Sequence, residues 1–157
     1  LTVERSGVIY SLGTGARSLE EFLALLKGNA VAVAADVRSF PSSRRFPHFS
    51  REDLRRSLEA EGIAYVWLGN RLGGFRRGGY EAHTRTGDFR KGLEELEGLA
   101  RLRPTAFFCA EREPSRCHRR FIARALRERG WEVVDLGTGG GPSSREGQGV
   151  IPLGEGE

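Results

Sequence analysis

The run from Val31 to Val37 is apolar at every position until Asp36. A strand with one wet face alternates apolar and polar residues; a run without alternation has both faces covered, as in the middle of a parallel sheet. Four more strand-like runs follow or precede it: Val8 to Leu12, Ile63 to Leu68, Thr105 to Cys109 and Trp131 to Leu136. Helical patterns separate them. Ser18 opens the first, with Glu21 three residues on as in a capping box, and Leu19, Phe22, Leu23 and Leu26 on one face. Gly28 is placed to end it in a left-handed conformation. Ser50 caps a second helix carrying Leu54 and Leu58, closed by Gly62. Phe89, Leu93, Leu96 and Ala100 mark a third, and a fourth runs from about Ser115 to Arg129, with Gly130 as its stop.

Strands alternating with helices imply an α/β, Rossmann-like three-layer sandwich: a mostly parallel sheet of about five strands, helices on both faces, right-handed crossovers. Residues 1–136 read as one domain, and 137–157, rich in Gly, Ser and Pro, as a flexible tail with a possible docking patch at Val150-Ile151-Pro152-Leu153. Ligands of such sheets bind outside the carboxyl ends of the strands. Gly13-Thr14-Gly15, Asp36-Val37-Arg38, the stretch 69–85 and Cys109-Ala110-Glu111 all follow strands, so they are expected along one edge. The stretch from Gly69 to Thr86 has five glycines before Tyr80 and no periodicity; it reads as a long loop, and with Arg76, Arg77, Tyr80 and His83 as a lid for an anionic ligand or a plain disordered segment.

Charge sharpens this expectation. The loops 36–49, 69–85 and 110–116 hold nine arginines and four acids, an excess larger than the net +4 of the whole chain. An edge so charged favours an anion. The 23 arginines against 2 lysines, the lack of Met and the scarcity of Asn and Gln fit a heat-adapted source or a GC-rich genome. No apolar run reaches the roughly 18–20 residues needed to span a bilayer, and two cysteines without a secretory leader point to a reducing cytoplasm.

The chemistry concentrates in Cys109-Ala110-Glu111-Arg112-Glu113-Pro114-Ser115-Arg116-Cys117-His118-Arg119. Pro114 suits the approach to a helix, placing Cys117 and His118 in its first turns, where the dipole and unpaired N–H groups favour a thiolate. Cys117 is a candidate nucleophile or redox thiol, and His118 and Glu111 candidate proton carriers. Yet His118, Phe121, Ile122, Ala125 and Leu126 also follow core spacing, and Cys109 ends an apolar strand where core packing is as good an account as function. A Cys-x5-Arg phosphatase loop is excluded, because Ser115 stands where Arg is required and Arg116 is one place late. Cys109, Cys117 and His118 lack paired CxxC spacing, and a fourth metal ligand would have to be Asp36, His48 or His83. A Cys109–Cys117 disulfide would be regulatory or artefactual in a cytosol. Asp36 is the first charge after a buried run and can fix Arg38, act as a base, hold a ribose hydroxyl or simply cap its loop. Arg38, Arg44 and Arg45 can fork onto phosphate or remain solvated, and Phe40, Phe46 and Phe49 among them can stack on bases or anchor the loop. Gly13-Thr14-Gly15 is no dinucleotide fingerprint, since Ser18 stands where the last Gly belongs.

Three separated motifs also resemble the domain of unknown function family 488: Asp36-Val37-Arg38-Ser39-Phe40-Pro41 with Ser43, Arg44 and Phe46; Leu72-Gly73-Gly74; and Cys109-Ala110-Glu111, Pro114 and Cys117-His118-Arg119. The resemblance spans about residues 8–136 and implies a cytosolic bacterial or archaeal Rossmann-like domain without an established reaction. It implies as motif positions Asp36, Arg38, Pro41, Arg44, Cys109, Glu111, Pro114, Cys117, His118 and Arg119. The chain departs from it at Thr14 and Asp135, where the family commonly has His.

These readings leave three functions. One is an enzyme acting on a phosphate-bearing ligand, a nucleotide or nucleic acid, with Arg38, Arg44, Arg45, Arg76, Arg77 and Arg119 holding the anion, Asp36 or His118 moving a proton and Cys117 as nucleophile. The second is a non-catalytic nucleic-acid or nucleotide-binding module. The third is a metal- or redox-responsive protein built on Cys109, Cys117 and His118. No cofactor is identified by any residue pattern, and oligomeric state is not encoded in anything above.

Overall fold

The computed structural model describes residues 7–111 and 117–137. The strands are β1 (Gly7–Gly13), β2 (Val33–Asp36), β3 (Ala64–Trp67), β4 (Thr105–Cys109) and β5 (Trp131–Leu136). All pair in parallel in the order β3-β2-β4-β1-β5. The expected five-stranded parallel sheet is therefore present, and Val33–Asp36 lies inside it, every residue buried. The order carries one consequence for function. The chain leaves β2 toward β3 and leaves β4 toward β5, so adjacent strands β2 and β4 send their connections in opposite directions. Open α/β sheets leave a crevice at such a point, outside the carboxyl ends of the strands.

The helices are α1 (Leu19–Gly28), α2 (Arg51–Ala60), α3 (Gly69–Leu72), α4 (Tyr80–His83), α5 (Gly87–Leu102) and α6 (Arg119–Glu128), with a 3₁₀ turn at Pro47–Phe49. They fall into two layers. Phe22 and Leu26 of α1 and Leu54 and Leu58 of α2 pack with Leu12, Ala34, Ala106 and Phe108 on one face. Phe89, Leu93 and Leu96 of α5 and Ile122 and Leu126 of α6 pack with Ile9, Ala35, Phe107 and Val133 on the other. Consecutive strand residues point to opposite faces, which is why Phe107 and Phe108 belong to different cores.

The capping box at α1 is complete: Ser18 Oγ accepts from the Glu21 amide at 3.0 Å and Glu21 Oε1 accepts from the Ser18 amide at 2.8 Å. Gly28 does not end that helix in a left-handed turn. The helix continues through it and the left-handed residue is Ala30 (φ 57°), after which the Val31 amide reaches back to Leu26 O at 3.0 Å. Gly62 (φ 79°) and Gly130 (φ 95°) do turn the chain after α2 and α6. Ser50 precedes α2 as expected, but its hydroxyl makes no capping bond. It is drawn instead into the preceding loop, accepting from the Ser43 amide at 3.1 Å and donating to Ser43 O at 3.3 Å.

The stretch 69–86, expected as a structureless loop, contains α3 and α4. Each is a single turn, too short to carry a periodic signature. Buried Leu72 packs in one cluster with Phe89 and Leu93 of α5, His83 lies against Phe89, and α4 is tied to α3: His83 Nε2 donates to Arg71 O at 2.7 Å and Tyr80 Oη to Leu72 O at 2.7 Å. A Cβ on Gly92 of α5 would collide with Leu72. No helix of the described residues is long and apolar enough to cross a membrane. The tail 138–157 and the segment Arg112 to Arg116, with the Pro114 and Ser115 readings, lie outside the described residues.

Candidate functional site

A cleft of about 690 Å³ opens at the crevice between β2 and β4. Cys117 and His118 form part of its floor. They stand immediately before α6 rather than inside its first turn, His118 being the N-cap residue without a capping side-chain bond. The ring is aimed elsewhere. His118 Nε2 lies 2.9 Å from Val37 O, the carbonyl just beyond β2. A carbonyl only accepts, so Nε2 carries the proton and Nδ1 is turned toward Cys117 Sγ, 3.5 Å away. Tyr80 packs against the imidazole, with ring centroids 5.2 Å apart.

The Cys117 thiol is acidified to about 4. The largest cause is the hydrogen bond it accepts from the Cys109 thiol; burial opposes this, and His118 and the Arg119 amide, 3.5 Å from Sγ, add to it. Cys109 moves the opposite way, raised by burial and by the bond it gives Cys117. The pair therefore carries one thiolate, on Cys117. Both cysteines are reduced.

Beneath them lies Arg119, with no exposed surface. Its Nε donates to Cys109 Sγ at 3.1 Å, Nη1 to Ser11 Oγ at 2.5 Å and Asp135 Oδ1 at 2.7 Å, and Nη2 to Glu111 O at 2.8 Å. Arg119, a candidate anion ligand by sequence, is thus placed under the cleft as a tie between α6 and strands β1, β4 and β5. Asp135 is its counter-charge. The strand register explains the convergence, since Ser11 pairs with Asp135 and Gly13 with Cys109.

A second buried guanidinium sits on the opposite face of the sheet. Arg38 (6% exposed) grips Asp36 (0%) through Nε and Nη2, both at 2.8 Å, and gives Nη1 to Phe49 O at 2.7 Å. Tyr65 Oη donates to the same carboxylate at 2.5 Å. Asp36 therefore stands behind Arg38 rather than in the cleft. Arg38 lies at the junction of the main cleft and a neighbouring one of about 430 Å³ that Arg45, Ser43 and Thr14 also line. Glu111 is exposed and borders both. Arg76 lines the main cleft, its Nε bonded to Gly73 O at 2.8 Å. Arg44 and Arg77 are exposed and line neither.

The middle motif supports the first. A Cβ on Gly69 or Gly73 would strike the Arg38 carbonyl or Ser39, respectively. That closeness lets Ser39 Oγ donate to Gly74 O at 2.7 Å and Trp67 Nε1 to Arg38 O at 2.8 Å. The family model described as "Domain of unknown function DUF488" matches residues 18–126. The chain belongs to this family. The match covers the middle motif and both sides of the cleft, so what the DUF488 motifs build here is one continuous object: strand-end Asp36-Arg38, the glycine support, and the thiol pair. No curated protein and no solved structure matches the chain.

Among the described residues no three His, Cys, Asp or Glu side chains form a group suited to a metal ion. Cys109, one of the thiols considered for that role, already accepts from Arg119. Of the possible further ligands, His48 stacks on Phe49 with ring centroids 4.3 Å apart, His83 is bonded to Arg71 O, and Asp36 is held by Arg38. Sequence reasoning did not find Ser11, Ser39, Tyr65 or Phe75 as parts of the site. Ser11 had a signal, a hydroxyl inside an apolar strand; the others are recognisable only once the sheet order brings their neighbours together.

Proposed function

We propose that this cleft is the active site of a thiolate-dependent enzyme acting on a phosphate-bearing ligand. The observation that carries the reading is the placement of Cys117 Sγ on the cleft floor, 3.5 Å from His118 Nδ1 and in the same cavity as Cys109, Arg38 and Arg76. The thiolate is the nucleophile. Arg38, locked on Asp36, has one N–H on each of Nη1 and Nη2 beyond those given to Asp36 and Phe49, and a guanidinium so fixed can present them to an anion without further ordering. In the reaction, sulfur forms a bond to the electrophilic atom of the ligand while the bond to the leaving group breaks. His118 Nδ1 takes the Cys117 proton as the thiolate forms and returns it to that leaving group.

The test is alkylation by iodoacetamide, read by intact mass. An ordinary thiol of pKa about 8.5 reacts roughly tenfold faster per pH unit below that value. Cys117 is a thiolate throughout neutral pH, so its rate should hold within about twofold from pH 6 to 7.5 and fall only as pH drops toward 4. Inorganic pyrophosphate should slow the labelling, and Cys117→Ser should abolish it. A rate that climbs tenfold per unit, or labelling indifferent to pyrophosphate, would refute the reading.

A further inference from the structure

Phe75 is 90% exposed and Phe40 71%, and both border the cleft that holds Cys117. Neither is a stray surface residue. Phe75 adopts φ +57°, a left-handed backbone that is unfavourable for a bulky residue. Such strain persists where the surroundings over-determine it. Here they do: one residue before each ring, Ser39 Oγ is bonded to Gly74 O, and one residue after Phe75, Arg76 is fastened to Gly73 O and Asn70 O. The two rings are thereby held with centroids 5.7 Å apart and planes inclined by 50°, at the rim and facing solvent. Folding gains little from apolar rings placed so. A planar ring laid against them gains stacking of about 1–3 kcal/mol per base.

We infer that Phe40 and Phe75 form a stacking platform for a heteroaromatic ring, and that the ligand of the cleft is a nucleotide, its base on the platform and its phosphate toward Arg38. This rests on the thiolate-and-phosphate reading above and names its substrate class. The polar partners decide against other apolar occupants. Arg38, Arg76 and Arg120 line the same cleft against one acid, Glu111, an excess of positive charge that favours a ligand combining an aromatic ring with negative charge. A second copy of the chain is a poor fit, because two phenylalanines offer at most about 300–500 Å² where a stable partner needs about 800 Å² a side. The nucleotide has two sources, a free mononucleotide or one residue of a single-stranded nucleic acid.

The experiment measures protection of Cys117 from iodoacetamide in the full-length chain by AMP, by ribose 5-phosphate, which lacks only the base, and by a short oligothymidylate. AMP should protect at a concentration roughly tenfold lower than ribose 5-phosphate. In Phe75→Ala and Phe40→Ala, both changes at exposed positions, that ratio should fall toward one while ribose 5-phosphate protects as before. Protection by the oligothymidylate stronger than by AMP assigns the base to a strand; the reverse assigns it to a free nucleotide. Equal protection by AMP and ribose 5-phosphate, or a ratio unchanged in Phe75→Ala, overturns the platform but leaves the phosphate site standing. Failure of pyrophosphate and all three probes overturns both. Sedimentation showing a dimer that Phe75→Ala dissolves would also overturn the platform.

Discussion

At the scale of single side chains, Arg119 shows how a residue can govern a site without touching its ligand. Protein groups from three strands and one loop receive its N–H bonds, and one of those groups is the Cys109 sulfur, which lines the same cleft as Cys117. Breaking a buried ion pair by removing one partner costs about 3–5 kcal/mol, since the remaining charge is stranded. Asp135 is partly exposed and can recover some hydration. Arg119→Met should therefore lose about 3 kcal/mol in urea unfolding, and Arg119→Lys about half that, because an ammonium is a point charge that does not reproduce the planar fork. A loss below about 1 kcal/mol would show that the network is incidental. Asp135, 2.7 Å from Nη1, is the carboxylate that balances the buried guanidinium.

Among elements, the one-turn helix α3 supports the cleft. Its glycines are required by contact rather than by conformation: neither Gly69 nor Gly73 has a positive φ, yet a methyl group at either would enter the backbone of Arg38 or Ser39. Overpacking against backbone costs about 1–3 kcal/mol. Gly73→Ala should lower the thermal midpoint by several degrees and weaken pyrophosphate protection of Cys117, since Ser39 and Arg38 move together; Gly98→Ala, where an added Cβ meets nothing within 4 Å, should do neither. Equal behaviour of the two variants would refute the contact argument. The elements also show what a sequence makes legible. Five strands were readable as short apolar runs, the long helices because each carries a period, and the α1 cap because its partners are three residues apart. The helices α3 and α4 were not, since a single turn has no period. The strand order was not either, because it depends on which non-local pairs bury the most surface. The candidate site shared this division: Asp36 and Cys109 were visible at the ends of apolar runs, Arg38 in the arginine-rich loop that follows, and Cys117 and His118 in the polar segment before a helix, whereas the burial of Arg119 and the exposure of Phe75 follow only from tertiary packing.

For the molecule as a whole, the sheet is a partition between two cores. Leu58 and Leu126 are both fully buried, one on each side. Each Leu→Ala change should cost about 2–5 kcal/mol, and the double variant should equal the sum within about 0.5 kcal/mol because the two share no neighbour. Chemical denaturation of the four proteins of this cycle measures it; a coupling above about 1 kcal/mol would mean that the sheet transmits strain between its faces. Asp36 and Arg38 are anchored on the side of α1 and α2, and Cys109 and Arg119 on the side of α5 and α6, so both sides of the sheet contribute to the cleft. The bond from His118 Nε2 to Val37 O ties the start of α6 to the end of β2. Any slip of one helical layer along the sheet would appear there as a change in the distance between Cys117 and Arg38, so the cleft works as a gauge of layer registry.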